Sequence, residues 1–152
     1  MVKGENAARV SAEYSIDPPP SGSGPGAMVG EGGLWKISPL AMARAYLRLL
    51  DSRDDPAVKT LLAGMGDSAD GGTSLRVSGV IGRHHALAKT GTAPCTHELR
   101  APGDGFALVM WPAEQPRYLL LVRLHGEPGS HAAGVAGKMV RALEDTRVAT
   151  AD

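Results

Sequence analysis

Cysteine occurs once in this chain, at Cys95, and asparagine once, at Asn6. A single thiol excludes an internal disulfide, so apolar packing has to supply the stability. Aromatic residues make up only 4 % of the sequence, and no basic run is interleaved with them, which argues against a nucleic-acid surface. An excess of either charge is missing as well: 16 Lys and Arg balance 16 Asp and Glu, so nothing favours a polyanionic partner. No apolar run approaches the roughly 18 residues of a membrane span. Residues 1–9 lack the apolar core of a signal peptide, so no secretory address is expected within this stretch. A length of 152 residues suits one domain whose core needs neither disulfide nor metal.

Glycine and proline are plentiful, at 20 and 11, but they cluster in a few connections, as in a globular domain with long loops. Residues 1–27 form an N-terminal segment, with a short strand suggested over 10–16 and a Pro/Gly-rich loop over 18–26. Residues 28–145 carry the periodic patterns, and residues 146–152 read as a frayed tail. Ser38 followed by Pro39 opens a helix, with Leu40, Ala43, Leu47 and Leu50 on one core-facing stripe. Asp55 and Pro56 open a second, which is expected to bury Val58, Leu61, Leu62 and Met65 and to stop near Gly64 or Gly66. Thr73 is the expected cap of a short segment that Ser78 and Gly79 break. Strands are predicted over 106–111 and 118–124, joined by a hairpin-length connection. Ser130 is placed to cap a last helix striped by Val135, Met139, Val140 and Leu143. The fold class implied is α+β, an antiparallel sheet flanked by helices.

Before that hairpin, a run of small and apolar residues ends in Lys89, Thr90, Gly91 and Thr92. Lysine offers three charged donors and each threonine a rotatable hydroxyl. Glycine lets a ligand backbone approach closely. Together they suit capture of an anion, such as a carboxylate, at a strand edge, although the same tetrapeptide also occurs in ordinary turns.

Placed in order with its neighbours, this stretch resembles the C-terminal portion of a penicillin-binding transpeptidase domain, in the serine D,D-peptidase and β-lactamase-like family. Gly30, Glu31 and Gly32, followed by the run from Ile37 to Tyr46, resemble the family's glycine turn and its Thr-Pro-Leu helix. Gly72-Thr73 is similar to the Gly-Thr at the start of a later short helix, and residues 88–93 are similar to its Gly-Lys-Thr-Gly-Thr-Ala strand. The hairpin over 105–122 and the closing helix also fit. The resemblance implies a β-lactamase/transpeptidase-like fold and a place in the cell envelope or periplasm. It implies that Lys89 anchors the terminal carboxylate of a peptidoglycan stem peptide or a β-lactam. Thr90 and Thr92 would then bond substrate, and the Thr92 backbone N–H would be one oxyanion-hole donor.

The family needs Ser-x-x-Lys and Ser-x-Asn as well as Lys-Thr-Gly. No serine here has a lysine three residues later, and no serine stands two before Asn6. The nucleophile motif is therefore absent, and acyl transfer by this chain alone is not expected. Its partner would be a missing or separately encoded N-terminal catalytic half. Two other readings stand beside this one. The first is a non-catalytic binding module or pseudoenzyme that retains the carboxylate-binding strand; the second is an unrelated small α+β domain. On the transpeptidase reading, an unpaired strand edge and exposed apolar surface are expected to make the isolated chain associate.

No cofactor is implied. A nucleotide-binding loop needs glycine where Arg83 and Ala88 stand. Cys95, His97, His84 and His85 contain no second tight ligand pair, so no metal site is assigned.

Overall fold

The computed structural model describes residues 14, 16–18, 20–24, 36–94 and 103–149. The chain divides into two compact units, residues 1–53 and 54–152. Of the strand expected over 10–16 only Tyr14 and Ile16 are described, and Tyr14 is helical rather than extended; Cys95 and His97 lie outside the described residues.

In the first unit, helix α1 spans Pro39–Asp51. It begins where the sequence places it, with the Ser38 hydroxyl accepting from the Ala41 N–H at 3.1 Å and proline in the first turn. Its apolar stripe corrects the expectation of a core-facing helix. No α1 residue is buried, and Leu40 and Leu47 are 60 % and 48 % exposed. Helical periodicity identifies an apolar face, but a partner has to cover it before it becomes core.

The second unit holds α2 (Pro56–Gly71), α3 (Leu75–Ile81), β1 (Leu87–Ala93), β2 (Asp104–Trp111), β3 (Tyr118–His125) and α4 (Gly129–Ala149). Among the described residues the fold is thus α+β, with four helices and one three-stranded sheet. The strand order is β1-β2-β3, antiparallel throughout. Alternation sends Ala88, Ala107, Val109 and Val122 to one face, where α3 and α4 close a core with Val77, Ile81, Ala132, Ala133, Ala136 and Val140. Leu87, Leu108 and Met110 point the other way and are also buried. β2 is therefore covered on both faces, which its nearly unbroken apolar run already suggested.

Several boundaries differ from the sequence reading. α2 does not stop at Gly64 or Gly66 but runs to Gly71, because Met65 and Ala69 are buried beyond and between those glycines. That packing outweighs the roughly 1 kcal/mol that an interior glycine costs a helix. Leu61, expected in the core, is 45 % exposed. The cap of α3 is Ser74 rather than Thr73. Ser78 does not break α3: its hydroxyl donates to the Ala69 carbonyl at 2.6 Å and so ties α3 to α2. α4 starts at Gly129, ahead of Ser130, and continues to Ala149 through residues read as a tail. Its packing face is Ala132, Ala133, Ala136, Gly137 and Val140, whereas Met139 and Leu143 are 43 % and 49 % exposed. Small residues win here because α4 lies close to α3. A Cβ on Gly137 would stand 3.1 Å from Val77 Cα.

Candidate functional site

The four residues singled out in sequence lie on β1, whose outer side has no strand partner among the described residues. β1 forms as a strand because Leu87 and Ala88 are buried on opposite faces while residues 89–93 pair along β2. Register then assigns the side chains. Lys89 and Gly91 lie on the face of Leu108 and Phe106, and Thr90 and Thr92 on the face turned to α3 and α4.

Lys89 is exposed, and its ammonium donates to the Thr90 carbonyl. Among the described residues no carboxylate pairs with it. A Cβ added at Gly91 would meet nothing within 4 Å, so the space beside the lysine on this face is open. The Thr92 N–H projects from the same side of the strand as the Thr90 carbonyl that Lys89 reaches, since backbone groups two residues apart point alike. An ammonium, an open glycine and a strand N–H thus lie within the four residues from Lys89 to Thr92, which suits an anionic chain end.

The two threonine hydroxyls each have a partner within the chain. Thr90 is buried and donates to Thr73 Oγ1 at 2.7 Å. Behind it lies a hydroxyl cluster in which Ser68 Oγ stands 3.5 Å from Thr73 Oγ1 and 3.0 Å from Ser74 Oγ. Thr92 Oγ1 accepts from the Gly129 N–H, the first residue of α4, at 3.1 Å. Thr90 therefore ties the strand to the α2–α3 connection and Thr92 ties it to α4, and the Thr92 hydroxyl keeps its own proton for donation.

Gly129 can approach only because it lacks a side chain: a Cβ there would stand 2.5 Å from the Gly91 carbonyl oxygen. The turn before it lies as closely on Gly105, where a Cβ would come within 2.5 Å of Glu127 O. At the same end of the sheet, Asp104 pairs in register with Ala93 and His125. Its buried carboxylate accepts from Arg123 Nε at 3.0 Å and Nη2, from His125 Nδ1 at 2.8 Å and from the Gly126 N–H at 3.4 Å. The Arg123 guanidinium foremost, with the His125 ring and the Gly126 N–H, holds the Asp104 carboxyl below its ordinary 3.8, at about 2. The sequence reading missed Asp104, Gly129 and, as a partner of Thr90, Thr73. The one local signal was an acidic residue opening a strand directly before glycine.

The other end of the sheet carries a separate open cavity of about 520 Å³ beside His85, Trp111, Tyr118 and Glu144. His85 Nε2 donates to Glu144 at 2.7 Å, and Trp111 and Tyr118 have ring centroids 5.2 Å apart. On the turn leading into β1, the His84 N–H donates to both Asp70 oxygens, at 2.9 and 3.1 Å. His84 and His85 are thus each held by a carboxylate and are not brought together as ligands. Among the described residues no group of three His, Cys, Asp or Glu could hold a metal ion, and no helix is long and apolar enough to cross a membrane.

Comparison with protein-family models, with curated proteins and with solved structures returns no match to this chain.

Proposed function

We propose that this chain is the carboxylate-binding, C-terminal portion of a penicillin-binding transpeptidase-like domain, acting in the cell envelope on peptidoglycan stem peptides. The observation that carries the reading is the exposed Lys89 ammonium, unpaired by any described carboxylate, beside the open space at Gly91 on a strand with a free side. A stem peptide ending in D-Ala-D-Ala, or a β-lactam, brings the carboxylate that such a lysine would hold. The sheet and helix order of residues 54–149 is compatible with the downstream part of a β-lactamase-like fold.

In the complete enzyme of this class, a serine attacks the D-Ala-D-Ala carbonyl and a lysine manages its proton. Neither motif is present in this sequence, so the role left to this chain is to dock the carboxylate and offer the Thr92 N–H to the developing oxyanion. That absence favours a second reading for the chain by itself, a non-catalytic binding module.

Titration of the chain with an N-acyl peptide ending in D-Ala-D-Ala is expected to show weak, reversible binding. Lys89→Ala should weaken it at least about tenfold, the value of one charge-assisted hydrogen bond. Unchanged affinity in that variant would remove Lys89 from the site. Intact-mass measurement after incubation with a penicillin is expected to show no added drug mass. A covalent adduct would overturn the binding-only role. A Ser-x-x-Lys and a Ser-x-Asn encoded in frame upstream would favour the transpeptidase portion over the independent module.

A further inference from the structure

Asp104 lies outside the tetrapeptide, yet its bonds lead to it. It ends the β2 side of the register that pairs Ala93 with Asp104 and Asp104 with His125, so it stands one position from the Thr92–Gly105 pair. Its carboxylate grips the start of the β3–α4 turn through His125 Nδ1 and the Gly126 N–H. Gly126 has φ +71, a left-handed conformation that suits glycine and turns the chain back across the sheet. The turn then rests on Gly105, with Glu127 and Pro128 backbone where any Cβ would go. It delivers Gly129 onto the Gly91 backbone, and the Gly129 N–H onto Thr92 Oγ1 at 3.1 Å. Up to Gly129 every link is a backbone contact or a bond to a buried carboxylate, and the last is the bond to the Thr92 hydroxyl, so a shift at the first link has little slack to absorb it.

We infer that Asp104 is a positioning residue for the Lys89–Thr92 strand: by holding the 126–128 turn, it sets where Gly129 pins Gly91 and Thr92. The inference rests on the carboxylate-binding reading of that strand. Asp104 itself touches no substrate. It works through Gly129, and so its loss loosens the Thr92 hydroxyl and N–H while leaving Lys89 in place.

Asp70 supplies the control. It is also a carboxylate that holds a histidine and a backbone N–H, but at the opposite end of β1, where it grips His84. A general loss of stability would follow from either variant; only the Asp104 route reaches Gly129.

The test is amide hydrogen exchange by NMR on the full chain, with titration by the N-acyl D-Ala-D-Ala peptide on the same samples. Asp104→Asn removes the charge and replaces one acceptor oxygen by an amide donor, so either Arg123 or the His125 and Gly126 donors lose their acceptor. It is expected to speed Gly129 exchange at least about tenfold relative to the mid-sheet amide of Val109, and to weaken peptide binding in parallel. Asp70→Asn is expected to leave the Gly129 rate, referenced in the same way, within about twofold of the parent. Should Asp104→Asn fail to fold, Arg123→Gln carries the test, with an expected acceleration of about threefold. Gly129 exchange at the parent rate in a folded Asp104 or Arg123 variant overturns the inference, as does equal acceleration by Asp70→Asn. If the parent binds no peptide while Gly129 responds only to the Asp104 variants, the positioning link stands and the carboxylate-binding reading falls.

Discussion

Glycine and hydroxyl residues, more than charged ones, shape the surroundings of Lys89. Gly129 and Gly105 permit backbone contacts that alanine could not, and Thr73 and Gly129 take up the hydroxyls of Thr90 and Thr92. Asp104 is the charged exception, and its environment makes the local structure sensitive to acid. Its carboxyl is depressed to about 2 by Arg123 first, so the ionised form is favoured by folding. A depressed acid contributes stability that is fully present above its unfolded value, near 4, and is lost as pH falls through about 2. Urea melts of the parent should therefore show this contribution fading between about pH 4 and pH 2. Asp104→Asn, which has no carboxyl to protonate there, should show a flatter profile, so the gap between the two narrows on acidification. A gap that stays constant over that window would mean that Asp104 is not held by charge.

Between elements, the closeness of α3 and α4 decides most of the second unit's packing. Gly137 lies against Val77, and Ala132, Ala133 and Ala136 are fully buried, so this helix pair has no room for larger side chains. Ala136→Leu is expected to cost about 1–3 kcal/mol, the range for overpacking a tight core, read as a lower urea midpoint. Met139→Leu on the same helix, at a 43 % exposed position, should change it by less than about 0.5 kcal/mol. The same closeness explains why, of the expected stripe, Val140 is buried and Val135 packs against the core while Met139 and Leu143 stay exposed. Hydrophobic periodicity gives weight to large residues, whereas close helix packing selects small ones. The helix starts at Ser38 and Asp55 were legible because each cap bonds within its own first turn. The run of α2 through Gly64 and Gly66 was not, since Met65 and Ala69 extend it by packing against other elements.

For the molecule as a whole, exposed apolar side chains and two open sheet sides point to association. Leu40, Leu47, Leu61, Leu75 and Leu143 are all 45 % exposed or more, and β1 and β3 each lack an outer partner among the described residues. Single exposed leucines are ordinary, but leucines combined with unpaired strand sides favour self-association. Sedimentation velocity across a tenfold dilution is expected to show a concentration-dependent rise in mass. A single monomeric species throughout would count against it.

The sequence by itself determined the local features: the capped helix starts, the β2–β3 hairpin, the balanced charge, and a Lys-Thr-Gly-Thr strand end without a serine nucleophile motif. Each is written in residues close together in the chain, where propensity, capping and alternation act. Only the folded chain decided that Thr90 turns inward to Thr73 while the exposed Thr92 bonds Gly129, that Lys89 and Gly91 keep the open face, and that Asp104 bonds the turn behind them. Those relations join residues 17 to 37 positions apart, through the register of the sheet and the seating of α4. No local pattern encodes such distances, because they are set by how small side chains let backbones approach.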